Sequence, residues 1–308
     1  MNESEQIHEH RRHASLRRRA AARARVPGVA SVLLAAAVLA GARPSVARAG
    51  ESAATGGMAA PAVQAGLAGR WAAAHEAARR NGWGTYWVGW AVRVPAGTEV
   101  ASSNGPHAGD PPQPVRELVG EDGAALRLGV EPASTDAVFF FRMDGRSGTP
   151  REMRIRRPDA PLGVAGVPVA WLGVAPDAES LGLLERVLGS APEAVRREIG
   201  PAAALHRDPA AVAAFVRRLL ANETSAAVRA QAAYWLRYQP TDESLALLEE
   251  IVRRDASPEV RDEAVTAIAQ RGTGAARRVL RRLSADPGVP AAARREAGEW
   301  LARGGGGR

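Results

Sequence analysis

At 308 residues, 46% apolar and without a cysteine, the chain has room for about two packed domains but cannot form a disulfide, a thiolate metal site or a thiol nucleophile. Its formal net charge of +8 is carried by arginine alone, and six of those charges belong to the first 49 residues, where nine arginines face Glu3, Glu5 and Glu9. Without that segment little excess charge remains, so a nucleic-acid partner is not expected.

The first 49 residues read as a secretory leader. Arg11, Arg12, Arg17, Arg18, Arg19, Arg23 and Arg25 precede an apolar run over 29–42, and Ala47-Arg48-Ala49 then precedes Gly50. A basic stretch, a short apolar stretch and Ala-x-Ala, in that order, mark export with cleavage after Ala49. The apolar run is shorter than the roughly 20 residues that a membrane-crossing helix needs. An uncleaved anchor, and with it a membrane-anchored sensor, is the alternative reading. The expected destination is the periplasm or the cell exterior, with no stable membrane insertion after cleavage. Residues 50–60 are small and polar, as in a flexible tether.

Residues 61–176 are expected to form one helix and a small sheet. Val63, Leu67, Trp71, Ala74 and Ala78 recur at three and four, a helical stripe ending at Asn81-Gly82, which suits a left-handed cap. That phase leaves Arg70, Glu76, Arg79 and Arg80 facing water or a partner. Tyr86, Val88, Trp90, Val92 and Val94 alternate with Trp87, Gly89, Ala91 and Arg93, a strand with one buried face. Residues 101–123, rich in Pro, Gly, Ser and Asp, predict a long surface loop. Further strands are expected over 124–131, 137–143, 152–157 and 167–174, with Asp144-Gly145 opening a hairpin loop longer than two residues. Arg154 and Arg156 alternate with Met153 and Ile155, which predicts a solvated basic stripe. Phe139-Phe140-Phe141 cannot hide on one face, so both faces of this mostly antiparallel sheet should be covered, by the 61–81 helix on one side and the first repeat on the other.

Residues 177–303 repeat a helix pair about four times. Val228-Arg229, Val260-Arg261 and Ala293-Arg294, spaced by 32 and 33 residues, open the second helix of a pair. Each is followed by a spaced alanine, Ala232, Ala264 or Ala297, and then by Trp235-Leu236, Ala267-Ile268 or Trp300-Leu301. Units this small cannot bury their own apolar stripe, so neighbours must stack into a solenoid, with the sheet as a cap at one end. Ser257-Pro258-Glu259 supplies a cap, a first-turn proline and an acid where a helix should start. In the first copy, Val195-Arg196 leads to Gly200-Pro201, and proline there should break the helix. That copy reads as a degenerate junction. Arg229, Arg261 and Arg294, with Arg196, form a structural ladder expected to pair with acids or carbonyls of the preceding turn, among them Glu223, Asp255 and Asp286. Trp235 and Trp300 fall on the apolar phase and read as core fillers. Residues 304–308 are expected as an unstructured tail.

The Val-Arg opening, the spaced alanines and the following leucine resemble the HEAT-repeat family, in particular bacterial HEAT-like modules, over 179–303. Gly-Val-Pro-Val-Ala-Trp-Leu at 166–172 is similar to the N-terminal part of exported bacterial HEAT-repeat proteins. The expected fold class is α+β: a carboxyl-terminal α-solenoid preceded by the small sheet and its helix.

No Gly-x-Ser-x-Gly elbow, phosphate-binding loop, His-Glu-x-x-His pair or dinucleotide fingerprint occurs, and His75, His107 and His206 stand apart in sequence. No metal and no cofactor are expected. Glu249-Glu250 are followed one turn later by Arg253-Arg254, the pattern of a solvated helix face. The function expected is therefore non-enzymatic, a protein or peptide of the cell envelope held on a concave surface of second helices. Its candidate contacts are Gln231, Tyr234, Asp262, Glu263, Thr266, Arg295 and Glu299. The alternative is an enzyme, of the kind that some HEAT-like lyases represent, with its site between sheet and first repeat near Trp87, Trp171 and His206.

Overall fold

The computed structural model describes residues 65–98, 100, 113–164 and 166–304. The leader, the tether, Val63, residues 101–112 of the predicted loop and residues 305–308 lie outside the described residues. In chain order the first elements are α1 (Leu67–Arg80), β1 (Thr85–Val92), β2 (Gln113–Pro114), α2 (Val115–Val119), β3 (Leu126–Arg127), β4 (Ala137–Asp144), β5 (Pro150–Arg156), β6 (Pro161–Leu162) and β7 (Val169–Val174). Four helix pairs follow: α3 (Asp177–Leu188) with α4 (Glu193–Ala203), α5 (Pro209–Asn222) with α6 (Ala226–Trp235), α7 (Asp242–Arg254) with α8 (Pro258–Gln270), and α9 (Gly274–Ala285) with α10 (Ala291–Gly304).

Helix α1 ends as Asn81-Gly82 predicts. Gly82 takes a φ of +65° and donates to the Arg79 carbonyl at 3.3 Å, and the Trp83 N–H reaches the Ala78 carbonyl at 2.8 Å. These are the two bonds of a Schellman end, which satisfy carbonyls that the helix itself leaves unpaired. At its start no side chain of its own caps α1; the Glu179 carboxylate of α3 accepts from the Leu67 N–H at 2.5 Å. The first repeat thus caps the helix that packs beside it.

The main sheet runs β3-β7-β1-β4-β5. Strands β1, β4 and β5 pair antiparallel, with Trp90 opposite Phe139 and Phe139 opposite Ile155, while β7 and then β3 add in parallel. On one face Trp90 stacks on Phe141 at 5.4 Å, Trp71 of α1 meets both rings edge-on, and the Trp90 indole N–H donates to Ser180 Oγ of α3 at 2.8 Å. This face merges with Leu181 and Leu184 of α3 and Ile199 of α4 into a core that continues through every repeat. So α1 and the first repeat share one face rather than taking opposite ones. The other face buries Trp87, Ala91, Val138, Phe140 and Trp171 beneath α2 and Leu162 of the small β2–β6 ribbon. Strand β1 is consequently buried on both sides, not one. Gly89 makes this possible, because a Cβ there would lie 2.6 Å from the Phe140 ring.

Other expectations change with the same packing. Arg70 is 8% exposed and donates to the Leu172 carbonyl at 2.6 Å, so it crosses to β7 instead of facing water. Arg154 pairs with Glu152, and Arg156, 3% exposed, donates to the Ile155 and Pro161 carbonyls. Neither forms a solvated stripe. Burial lowers both guanidinium pKa values, that of Arg156 to about 10, and the same burial raises the Glu198 carboxyl on α4 beside them. The end of the predicted loop holds α2, and the strand expected over 124–131 pairs through Leu126 and Arg127 alone.

Helix α4 passes through Pro201 instead of stopping at it. The proline falls in the last turn, so only Ala202 and Ala203 continue the helix beyond the backbone bond that its missing N–H removes. Gly200 earns its place by contact: a Cβ would come 2.8 Å from the Ala232 Cα of α6. Small buried residues, Ala232, Ala233, Ala264, Ala267 and Ala297, line the second helices throughout. These helices form the closer-packed row, and the first helices stand farther apart.

Candidate functional site

The ladder arginines are consumed inside the solenoid. Arg229 donates to the Glu223 and Thr224 carbonyls at 2.9 and 3.1 Å, closing the turn before its own helix, and forks onto Asp255 of the next repeat at 3.0 and 3.1 Å. Arg196 repeats the pattern with the Ala191 carbonyl and Glu223, and Arg261 with the Asp255 and Ala256 carbonyls. Arg294 lies close enough to Asp286 to help lower its pKa, after Arg253 and the Gly288 N–H. Charge-assisted forks of this kind are worth about 1.5–3 kcal/mol per bond when screened from water. The Arg196 and Arg229 forks tie one repeat to the next, while Arg261 is spent on the turn before its own helix, so these guanidiniums do not form a free row for a ligand.

The first helices bridge outside. Arg218 forks onto Glu185 at 2.7 and 3.1 Å, and Arg282 reaches Glu249 at 2.6 Å. Between α5 and α7 a groove of about 510 Å³ has a floor of Leu220, Leu247 and Ile251, but its rim arginines Arg217, Arg229 and Arg254 are paired with Glu243, Asp255 and Glu250.

The second-helix row presents a different surface. Gln231 and Tyr234 of α6 are half-buried, as are Asp262, Glu263 and Thr266 of α8, while Arg295 and Glu299 of α10 are exposed. Gln231 uses its side-chain oxygen to accept from the Trp235 indole N–H at 3.1 Å. Tyr234 lies 3.5 Å beneath the Arg237 guanidinium, which also sits 4.4 Å from the Tyr238 ring and 5.3 Å from the Trp235 ring. Tyr238, 47% exposed, packs at 5.1 Å on Trp235. Three aromatic side chains thus make a platform around one cation at the end of α6.

Trp235, expected in the core, stands half-buried in that platform, and Leu236 takes the buried place at 1% exposure. Helix α6 ends at Trp235, and a 3-10 turn over Leu236–Tyr238 then carries Leu236 inward and Tyr238 out beside the Trp235 ring. The sequence held a signal for this, since Tyr234, Trp235 and Tyr238 span too wide an arc to share one buried stripe with Leu236. On α10 the arrangement recurs: the Trp300 indole donates to Glu296 four residues earlier at 3.1 Å, and Arg303 lies 4.5 Å over its ring. Trp300 does pack against the core. The aligned residues Gln231 and Glu296 hold the two indoles in the same way, one at each of two repeats.

Trp87, Trp171 and His206 do not come together. The tryptophans lie on the sheet face under α2, whereas His206 is wholly buried on the other, 5.8 Å from Phe139, with Nδ1 directed at the Ala202 and Ala203 carbonyls. Among the described residues no group of His, Asp and Glu could hold a metal ion, and no helix is long and apolar enough to cross a membrane. Compared with known proteins, residues 216–302 match the family of HEAT repeats. No curated protein matches the chain.

Proposed function

We propose, from the premise that the carboxyl-terminal part of this chain belongs to the HEAT-repeat family, that the protein is a non-enzymatic scaffold holding a protein or peptide segment of the cell envelope. HEAT repeats generally mediate protein–protein interaction, and a solenoid offers one long surface rather than a closed pocket. A helix row packed closer than its partner row curves toward itself, so the second helices line the concave side. The observation that carries the reading is the platform of Tyr234, Trp235 and Tyr238 on that side, continued by Asp262, Glu263, Thr266, Arg295 and Glu299 along α8 and α10. Tyr, Trp and Arg are the residue types that dominate binding energy at protein interfaces, and here Tyr238 is exposed while Tyr234 and Trp235 are half-buried. Gln231 is assigned the supporting role of holding Trp235.

Export follows from the leader reading, with the uncleaved anchor as its competitor; amino-terminal sequencing of the protein recovered from cells separates the two. Affinity purification from envelope extract with the chain and with its Tyr234→Ala/Thr266→Arg/Arg295→Glu variant tests the binding face. The variant is expected to lose the captured partner at unchanged melting temperature, and equal capture by both would refute the placement.

A further inference from the structure

A groove of about 690 Å³ opens where the sheet meets the first repeat. It is lined by Arg93, Val130, Val174, Ala175, Pro176, Asp177, Arg207 and Asp208. Its position follows from topology. Strands β1, β7 and β3 are mutually parallel, so their carboxyl ends lie on one side, where Val174 ends β7, Arg93 follows β1 and Val130 lies three residues past β3. The crevice beyond the carboxyl ends of parallel strands is where open sheets flanked by helices generally take ligands.

The polar groups there are unevenly engaged. Asp177 accepts from the Arg207 and Asp208 backbone N–H groups at 2.7 and 3.0 Å, and Asp208 accepts from Ala210 and Ala211 at the start of α5. Each carboxylate thus gives one of its oxygens to two backbone N–H groups. The Arg93 and Arg207 guanidiniums are exposed and have no acceptor among the described residues. Helix α3 begins in the same groove without a side-chain cap. The apolar part is equally unusual. Val130 is 67% exposed, held outward because the Trp171 indole N–H donates to its carbonyl at 2.8 Å and because Gly129 and Gly173 touch, a Cβ on Gly129 falling 2.5 Å from the Gly173 Cα. A side chain at either glycine would push the Val130 segment off the end of β7.

We propose that this groove binds a carboxylate attached to a branched apolar group, the carboxylate bridged by Arg93 and Arg207 and the apolar group resting on Val130 and Val174. A planar guanidinium matches a carboxylate through two parallel hydrogen bonds. The two arginines and two aspartates of the lining cancel in formal charge, which favours a singly charged ligand over a phosphate dianion. The proposal does not depend on the second-helix surface.

Calorimetric titration of the full chain at low salt tests it with three probes: N-acetyl-leucine, its uncharged amide N-acetyl-leucinamide, and inorganic phosphate. Saturable binding of N-acetyl-leucine is expected, with phosphate weaker and the amide weaker still. The Arg93→Gln/Arg207→Gln variant should lose at least about tenfold in affinity, the scale of one charge-assisted pair, while Tyr234→Ala should change nothing. An amide that binds as well as the acid, or a double variant that binds as well as the original, would overturn the arginine assignment. Phosphate binding tighter than N-acetyl-leucine would overturn the ligand class. Loss of envelope capture by the Tyr234→Ala/Thr266→Arg/Arg295→Glu variant with this titration intact would separate the two surfaces.

Discussion

Arg229 and Asp255 lie one repeat apart and meet through two parallel hydrogen bonds of 3.0 and 3.1 Å, while the same guanidinium closes the turn that precedes its own helix. One side chain thereby fixes both the fold of a repeat and its spacing from the next. The side chains of the pair are 13% and 10% exposed, so removing one partner strands the other away from water. Arg229→Ala is expected to destabilise the protein by about 3 kcal/mol in urea unfolding. Arg229→Lys should recover only part of this, because an ammonium cannot fork. A loss below about 0.5 kcal/mol for Arg229→Ala would place the pair with ordinary surface bridges.

Trp235 and Leu236 are adjacent but have opposite fates. Leu236→Ala removes a side chain that is 1% exposed and should cost about 2–4 kcal/mol. Trp235→Ala removes a larger but half-buried one, and should cost about 1–2 kcal/mol because part of its surface already faces water. Equal losses in thermal unfolding would return Trp235 to the core.

Gly200 fixes how closely α4 approaches α6. Gly200→Ala sets a methyl group 2.8 Å from the Ala232 Cα, so the helices must part. Overpacking of this kind costs about 1–3 kcal/mol. Gly182, which has open space around it, is the control: Gly182→Ala should be neutral or slightly stabilising in the same unfolding experiment, as helix propensity favours alanine.

His206 gives stability a dependence on pH. Burial lowers its pKa below the ordinary value, against smaller opposing effects of the Asp177 charge and the Ala203 and Ala202 carbonyls. The neutral ring is thus favoured in the fold. Its contribution is full above the unfolded pKa of about 6.5 and is lost as pH falls below it toward the folded value, by at most about 1.4 kcal/mol per pH unit. Between about pH 6.5 and pH 5 the stability of the protein should fall more steeply than that of His206→Leu. Parallel curves would contradict the assignment.

The helix pairs, the Schellman end at Gly82 and the existence of strand β1, though not its second buried face, were legible because each is a local pattern in which period, cap and turn residues agree. The joining of α1 and the first repeat on one sheet face was not, since periodicity says which residues are apolar but not which neighbour covers them. Arg70, Arg154 and Arg156 show the same limit: their pattern is that of solvent-facing side chains, but the Leu172 and Pro161 carbonyls and Glu152 accept them. The helix runs two residues past Pro201, since a proline removes one backbone bond without undoing the turns already formed before it. At the candidate face, the second-helix positions followed from the repeat register. Trp235 stands half-buried where the repeat register places a core residue, because periodicity does not show how much of so large a side chain its neighbours can cover, and the Arg93–Arg207 groove was not legible because its residues come from four separate segments.

Amide hydrogen exchange of the full chain, with and without the partner recovered from envelope extract, tests the central claim most directly. The scaffold reading predicts added protection along α6, α8 and α10, centred on the segment from Tyr234 to Tyr238, with α5, α7 and α9 unchanged. Protection confined to the first helices, around the groove of Leu220, Leu247 and Ile251, would contradict it.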